Sequence, residues 1–364
     1  MEITLPHEQL LRALELTSRI SSKTPTLPVL QCVKITTTEK SVTLEATNLE
    51  MSINIPLEAQ IEEQGVVAVP TQTFLQSVQL IDQKEVTLRL EEAVLQIETS
   101  KSNTSIKTFA VDEFPAAKKI EGTSLTINAQ SFAYGIKSVA FAASQTSIKP
   151  ELGSVYVQQK KEHSLTFVAT DSFRLMEKTV SQKNIVLDQS FMIPNKNASE
   201  LARVCEVLSG EPKLIITDNH CAVEFENGVY ISSRLVTGTF PDYEQIIPKE
   251  YAAHVTVLKE DILKAFKKTS IFLNKFRQVS VTITDKNLTI AANNNDVGHT
   301  TDTISAAVEG EEMTLSFNQQ YVMDPLSHIQ DDSLKLSFAG IGRAVVMQGN
   351  NDKTLRYLVM PMNK

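Results

Sequence analysis

Val168-Ala169-Thr170-Asp171-Ser172-Phe173-Arg174-Leu175 decides how this chain is organised, because weaker copies flank it at equal distances. Upstream stands Leu44-Glu45-Ala46-Thr47-Asn48, downstream Ile290-Ala291-Ala292-Asn293-Asn294, and position 169 lies midway between 46 and 292. Other landmarks keep nearly the same step. Pro70 and Pro194 each close an apolar run ahead of a helical pattern, and Phe114-Pro115 recurs as Phe240-Pro241 and, in related form, as Met360-Pro361. A step of about 120 residues far exceeds a solenoid unit and is long enough for each copy to own a core. Three tandem domains are therefore predicted, over 1–122, 123–253 and 254–364.

Within each copy most segments alternate apolar and polar residues, as in Ser41 to Ala46, Glu85 to Leu90 and Gln278 to Ile283. A period of two marks half-buried antiparallel strands. Short polar turns such as Asp285-Lys286-Asn287, Glu226-Asn227-Gly228 and Gly349-Asn350-Asn351-Asp352 join them into hairpins. Six stretches break this pattern with helical spacing, near 7–20, 71–82, 130–143, 196–208, 259–270 and 318–329, and Pro325 is expected to bend or shorten the last. The fold class is α+β, with antiparallel sheets and two helices per copy.

The 364 residues carry a net charge of −8 and 42% hydrophobic residues, an ordinary globular composition. Bulk charge gives no attraction to nucleic acid, although a local basic face acts over a Debye length of about 10 Å. Such faces are suggested by Arg12 with Arg19, Lys196 with Arg203, and the cluster Lys264, Lys267 and Lys268, each interspersed with or flanked by glutamates. Cys32, Cys205 and Cys221 have neither disulfide nor zinc spacing and are expected as core thiols. No leader or membrane-length apolar run is seen, so a cytoplasmic protein with no membrane association is expected.

Catalytic constellations fail one by one. His7, His163, His220, His254, His299 and His328 lack metal-ligand spacing, so no metal and no cofactor is expected. Gly340-Ile341-Gly342 precedes a strand rather than a helix and reads as a hairpin turn. Thr170-Asp171-Ser172 lacks a base to activate a hydroxyl. Asn48, Asp171 and Asn294 instead follow strands, where a short polar side chain fixes a turn by bonding nearby backbone amides. A repeat-built hydrolase, the rival from another class, would need a cluster of acids and bases that the sequence does not offer.

Four sets of residues then occur in a telling order: Pro25-Thr26-Leu27-Pro28-Val29-Leu30, Ala169-Thr170-Asp171 with Arg174-Leu175, Phe240-Pro241-Asp242-Tyr243 with Pro248, and Val359-Met360-Pro361-Met362. Over essentially its whole length the chain resembles the beta subunit of bacterial DNA polymerase III, the sliding clamp family. The resemblance implies a non-catalytic processivity factor, a head-to-tail homodimeric ring whose helices line a hole for duplex DNA. Implied partners are double-stranded DNA, the replicative polymerase, the clamp loader, and other polymerases and repair proteins carrying a clamp-binding peptide.

By the same resemblance a peptide groove is expected from Leu152, Thr170, Ser172, Phe173, Arg174, Leu175, Pro241, Ile246, Leu358, Val359, Met360, Pro361 and Met362. DNA-facing residues are expected at Arg12, Arg19, Lys23, Lys137, Lys149, Lys196, Arg203, Lys264 and Lys268. The dimer seam is expected at Ile106, Ile271 and Phe272. Ser172-Phe173 stands where the family usually has Gly-His, and Glu244-Gln245 where paired basic residues are often seen; the loop that carries an aromatic in some members is Lys149-Pro150-Glu151. A clamp-like paralogue with a repair or resistance role is the nearer rival.

Overall fold

The computed structural model describes residues 1–21, 27–116, 119–146 and 148–362. Lys23, expected to face DNA, lies outside the described residues. Among the described residues six α-helices form where the spacing predicts them: α1 (His7–Ile20), α2 (Thr71–Gln79), α3 (Ala129–Val139), α4 (Asn195–Leu208), α5 (Lys259–Thr269) and α6 (Gln319–Met323). Proline acts as foreseen in the last. It cannot donate its backbone nitrogen in an α-helix, and α6 tightens into the 3-10 turn Asp324–Ser327 around Pro325.

Two compact units cut across the repeat. The first comprises Met1–Ala133 with Lys196–Leu235, the second Tyr134–Asn195 with Val236–Lys364. The middle copy is thus shared between them, a consequence of strand pairing that the repeat does not reveal.

In the first unit an eight-stranded antiparallel sheet runs in the order Thr123–Thr126, Lys213–Ile216, His220–Glu224, Tyr230–Arg234, Met51–Leu57, Val42–Thr47, Cys32–Thr37, Gly65–Pro70. Its middle pair, Tyr230–Arg234 against Met51–Leu57, joins the second repeat to the first with continuous backbone bonding. A five-stranded sheet ends on the edge strand Asn103–Lys107. Strand alternation does the packing, since Met51–Leu57 buries every second side chain.

The second unit repeats this plan. Its nine-stranded sheet contains Arg174–Ser181 paired with Leu355–Val359, which joins the third repeat to the second. A four-stranded sheet ends on the edge strands Gly298–Ser305 and Met313–Asn318. The strand Ser164–Thr170 is buried at all its positions, so it lies in the middle of the packing rather than on a half-solvated face.

Candidate partner groove and helical faces

The turn after Thr170 sets the geometry of the candidate groove. Asp171 Oδ1 accepts from the backbone nitrogens of Phe173 and Arg174 at 2.9 and 3.0 Å, and Thr170 Oγ1 donates to Arg174 O at 2.7 Å. The first repeat copies this: Asn48 Oδ1 accepts from Glu50 N and Met51 N, and Thr47 Oγ1 donates to Met51 O. In the third, Asn294 Oδ1 accepts from Asp296 N. The turn role predicted for all three residues is therefore observed. Leu49 and Ser172, the matching residues in the first two copies, both adopt left-handed backbone, with φ of 73° and 77°. Glycine takes that conformation without a Cβ penalty.

This turn pushes Phe173 outward, with 62% of its surface exposed. Phe173 O accepts from Met360 N at 2.8 Å, which sets the half-exposed Met360 beside it. Ile246 projects at 55% exposure from the 3-10 turn Tyr243–Ile246, and Pro241 and Ser172 are also exposed. Leu175, Leu358 and Val359 are buried: Leu175 and Leu358 pack with Val168, Met192, Phe240, Tyr243, Ala344 and Val346 in one cluster. Thr170 is buried, and Leu152, Pro361 and Met362 are half-buried. Sequence matching thus gathered both surface and floor. Adaptable Met and aromatic carbon offered on a firm apolar base suits Leu and Phe side chains.

Arg174 differs from the expected wall role. Its side chain is 9% exposed and turns inward, where Nε meets Asp171 Oδ2 at 2.9 Å and Nη1 meets Asp324 Oδ2 at 2.5 Å. Nη2 donates to Phe141 O at 2.8 Å, and the guanidinium lies over the Tyr321 ring at 4.5 Å. It locks the repeats together beneath the surface.

A second network anchors the 3-10 turn Tyr243–Ile246, and sequence reasoning missed it. Buried Glu177 accepts from Tyr243 Oη at 2.6 Å and from Lys160 Nζ at 2.7 Å, while Lys160 also reaches Glu244 at 2.7 Å. Burial pushes the Glu177 carboxyl up, but the Lys160 and Tyr243 hydrogen bonds outweigh it and hold its pKa below the usual carboxylate range. Burial, reinforced by Glu177, raises the Tyr243 phenol, so it stays a donor. Glu244, which stands where paired basic residues are often seen in the family, takes part in this network through Lys160 at the start of the 3-10 turn that carries Ile246. A loop residue, a strand residue and a 3-10 turn residue, from separate parts of the chain, are brought together here, and no local motif marks them.

The basic residues fall into different states. Arg12 is exposed and donates to Val207 O, and Arg19 pairs with Glu200 at 3.9 Å, so α1 and α4 lie side by side in opposite directions. Lys196 is exposed, while Arg203 is half-buried. On α5, exposed Lys264 pairs with Glu260 at 2.6 Å and Lys268 with Asp302 at 2.9 Å, leaving Lys267 exposed beside them. Lys137 and Lys149 are exposed.

At the expected seam Ile271 is 68% exposed and Phe272 half-buried, but the Ile106 side chain is buried, at 5% exposure. The edge strand offers its backbone and its exposed Asn103, Thr104, Ser105 and Lys107 instead.

The remaining candidates have structural roles. The three cysteines are free and buried, and burial pushes their thiols up to about 11 for Cys32 and about 12 for Cys205 and Cys221. His328 stacks on Phe141 at 4.8 Å and His7 bonds to Val78 O. Among the described residues, no group of three or more His, Cys, Asp or Glu is placed to hold a metal, and no helix is long and apolar enough to cross a membrane.

Three family models match in sequence order: the N-terminal domain of the DNA polymerase III beta subunit over 1–118, its central domain over 126–242 and its C-terminal domain over 244–363. The chain belongs to the DNA polymerase III beta subunit family. It is 24% identical over 366 residues to the beta sliding clamp of Haemophilus influenzae, with all of both chains covered. It is also 24% identical over 348 residues to the beta sliding clamp homolog GriR of Streptomyces muensis, covering 93% of this chain and 92% of that one. A solved structure of the Pseudomonas aeruginosa sliding clamp bound to griselimycin shares the fold with a TM-score of 0.93 at 24% identity over the full length of both. Three tandem clamp domains are therefore the architecture.

Proposed function

We propose that this chain is the non-catalytic processivity subunit of a bacterial replicative polymerase, closing as a head-to-tail homodimer around duplex DNA. The observation that carries the reading is the exposed apolar pair Phe173 and Met360, held by a 2.8 Å backbone bond over the buried Leu175 and Leu358. An extended Gln-Leu-Ser-Leu-Phe type peptide suits it: side chains enter the apolar patch while backbone groups seek bonds at the strand ends. Polymerase, loader and repair partners would share this one groove.

The edge strands Asn103–Lys107 and Gly298–Ser305 support ring closure, because among the described residues each has one sheet neighbour and leaves a row of backbone groups unpaired. Pairing them between two copies, with Ile271 and Phe272 alongside, seals both edges in a closed two-fold assembly. Arg12, Arg19, Lys196, Lys264 and their neighbours would then meet phosphate weakly and without base readout, as sliding requires.

A specialised clamp homologue is a second reading, favoured by Phe173 and the Lys160–Glu244 pair at the groove rim. Peptide preference separates the two. For the main reading, labelled protein is loaded onto nicked circular DNA with a clamp loader and passed through a sizing column. Retention on circles, lost when the DNA is linearised, is expected; equal retention on both forms contradicts topological binding.

A further inference from the structure

The two repeat junctions share one backbone frame but carry opposite chemistry. Ser233 pairs with Met51 as Val359 pairs with Arg174, and Ser232 pairs with Ser52 as Leu358 pairs with Leu175. The bond from Arg234 N to Glu50 O measures 2.8 Å, as does that from Met360 N to Phe173 O. Both turns carry the same side-chain-to-amide bonds and a left-handed residue. Side chains can therefore be compared place by place.

At the second junction the outer places hold Phe173 and Met360, and the inner places Leu175 and Leu358. At the first, the outer places hold Glu50 and Arg234, which form an ion pair at 3.6 Å, both more than half exposed. The inner places hold Ser52 and Ser232, whose hydroxyls bond to each other at 2.7 Å. An apolar anchor laid there would strip water from a charged pair and separate two hydroxyls that already satisfy one another, with no apolar floor in return.

We infer that Glu50, Arg234, Ser52 and Ser232 are specificity determinants: they keep the first junction closed to partner peptides, so that each chain offers one groove. The inference rests on the groove reading above. It treats the first junction as the same site with its recognition chemistry removed.

Isothermal titration of a Gln-Leu-Ser-Leu-Phe peptide tests it. The unaltered protein should bind one peptide per chain. The variant Glu50→Phe/Ser52→Leu/Ser232→Leu/Arg234→Met should bind two, and should still bind one when Phe173→Glu/Met360→Arg disables the second junction. Because the inner substitutions add volume, Glu50→Phe/Arg234→Met alone is titrated beside it, with cooperative melting checked for both. A second, weaker equivalent is expected from this surface variant. One equivalent in every cooperatively melting variant overturns the inference while leaving the groove intact. No binding to the unaltered protein removes the groove reading and this inference together.

Discussion

Arg174 and Asp324 meet at 2.5 Å between Nη1 and Oδ2, and this part-buried pair ties the second repeat to the third. Asp171 holds the same guanidinium from the other side, so a single cation serves the turn and the junction at once. Arg174→Ala would leave two carboxylates facing each other without a counter-charge, at a cost of about 3–5 kcal/mol. Arg174→Lys should recover little, because one ammonium cannot reproduce the fork. Denaturant midpoints of both variants check this.

The network of Glu177, Lys160 and Tyr243 predicts a pH dependence. Because the folded pKa of Glu177 is depressed, its stabilising contribution is whole above the unfolded value of about 4.3 and is lost as pH falls through the lower folded value. Glu177→Gln should cost about 1.5–3 kcal/mol at neutral pH. The melting difference between the two proteins should shrink below pH about 4.3. A difference unchanged down to pH 3 would separate Glu177 from the acid transition.

Ser172 carries a left-handed backbone that a β-branched residue resists. Ser172→Val should lose about 1–2 kcal/mol, whereas Ser172→Gly should be at least as stable as the parent. Thermal melts give the order directly.

The ion pairs sort the lysines. Removing Lys196 or Lys267 should each lower the salt dependence of DNA association by about one counterion. Lys268, held by Asp302, should contribute less. Affinities measured against salt concentration on short duplexes report the slopes.

Much of this was legible in the sequence because it is written locally. The repeat of Ala46, Ala169 and Ala292, the turn-forming Asn48, Asp171 and Asn294, the six helices and the shortening at Pro325 depend on near neighbours. What escaped depends on which residues from separate elements meet in three dimensions. Pairing of Tyr230–Arg234 with Met51–Leu57 divides the middle copy between two compact units. The inward turn of Arg174 and the clamp of Glu177, Tyr243 and Lys160 need partners far away in the chain. The resemblance places Ile106 at the seam, yet its side chain is the one buried in Asn103–Lys107, and the sequence of that strand alone does not say which residue meets the core.

On the proposed reading, Phe173 and Met360 form the surface that captures partner peptides. Fluorescence anisotropy of a labelled Gln-Leu-Ser-Leu-Phe peptide, titrated with the intact protein and with Phe173→Ala and Met360→Ala, tests it most directly. Saturable binding that weakens about tenfold or more in each variant, with melting temperatures unchanged, is the predicted result. Equal affinity in all three proteins, or no binding to the intact one, would contradict the account.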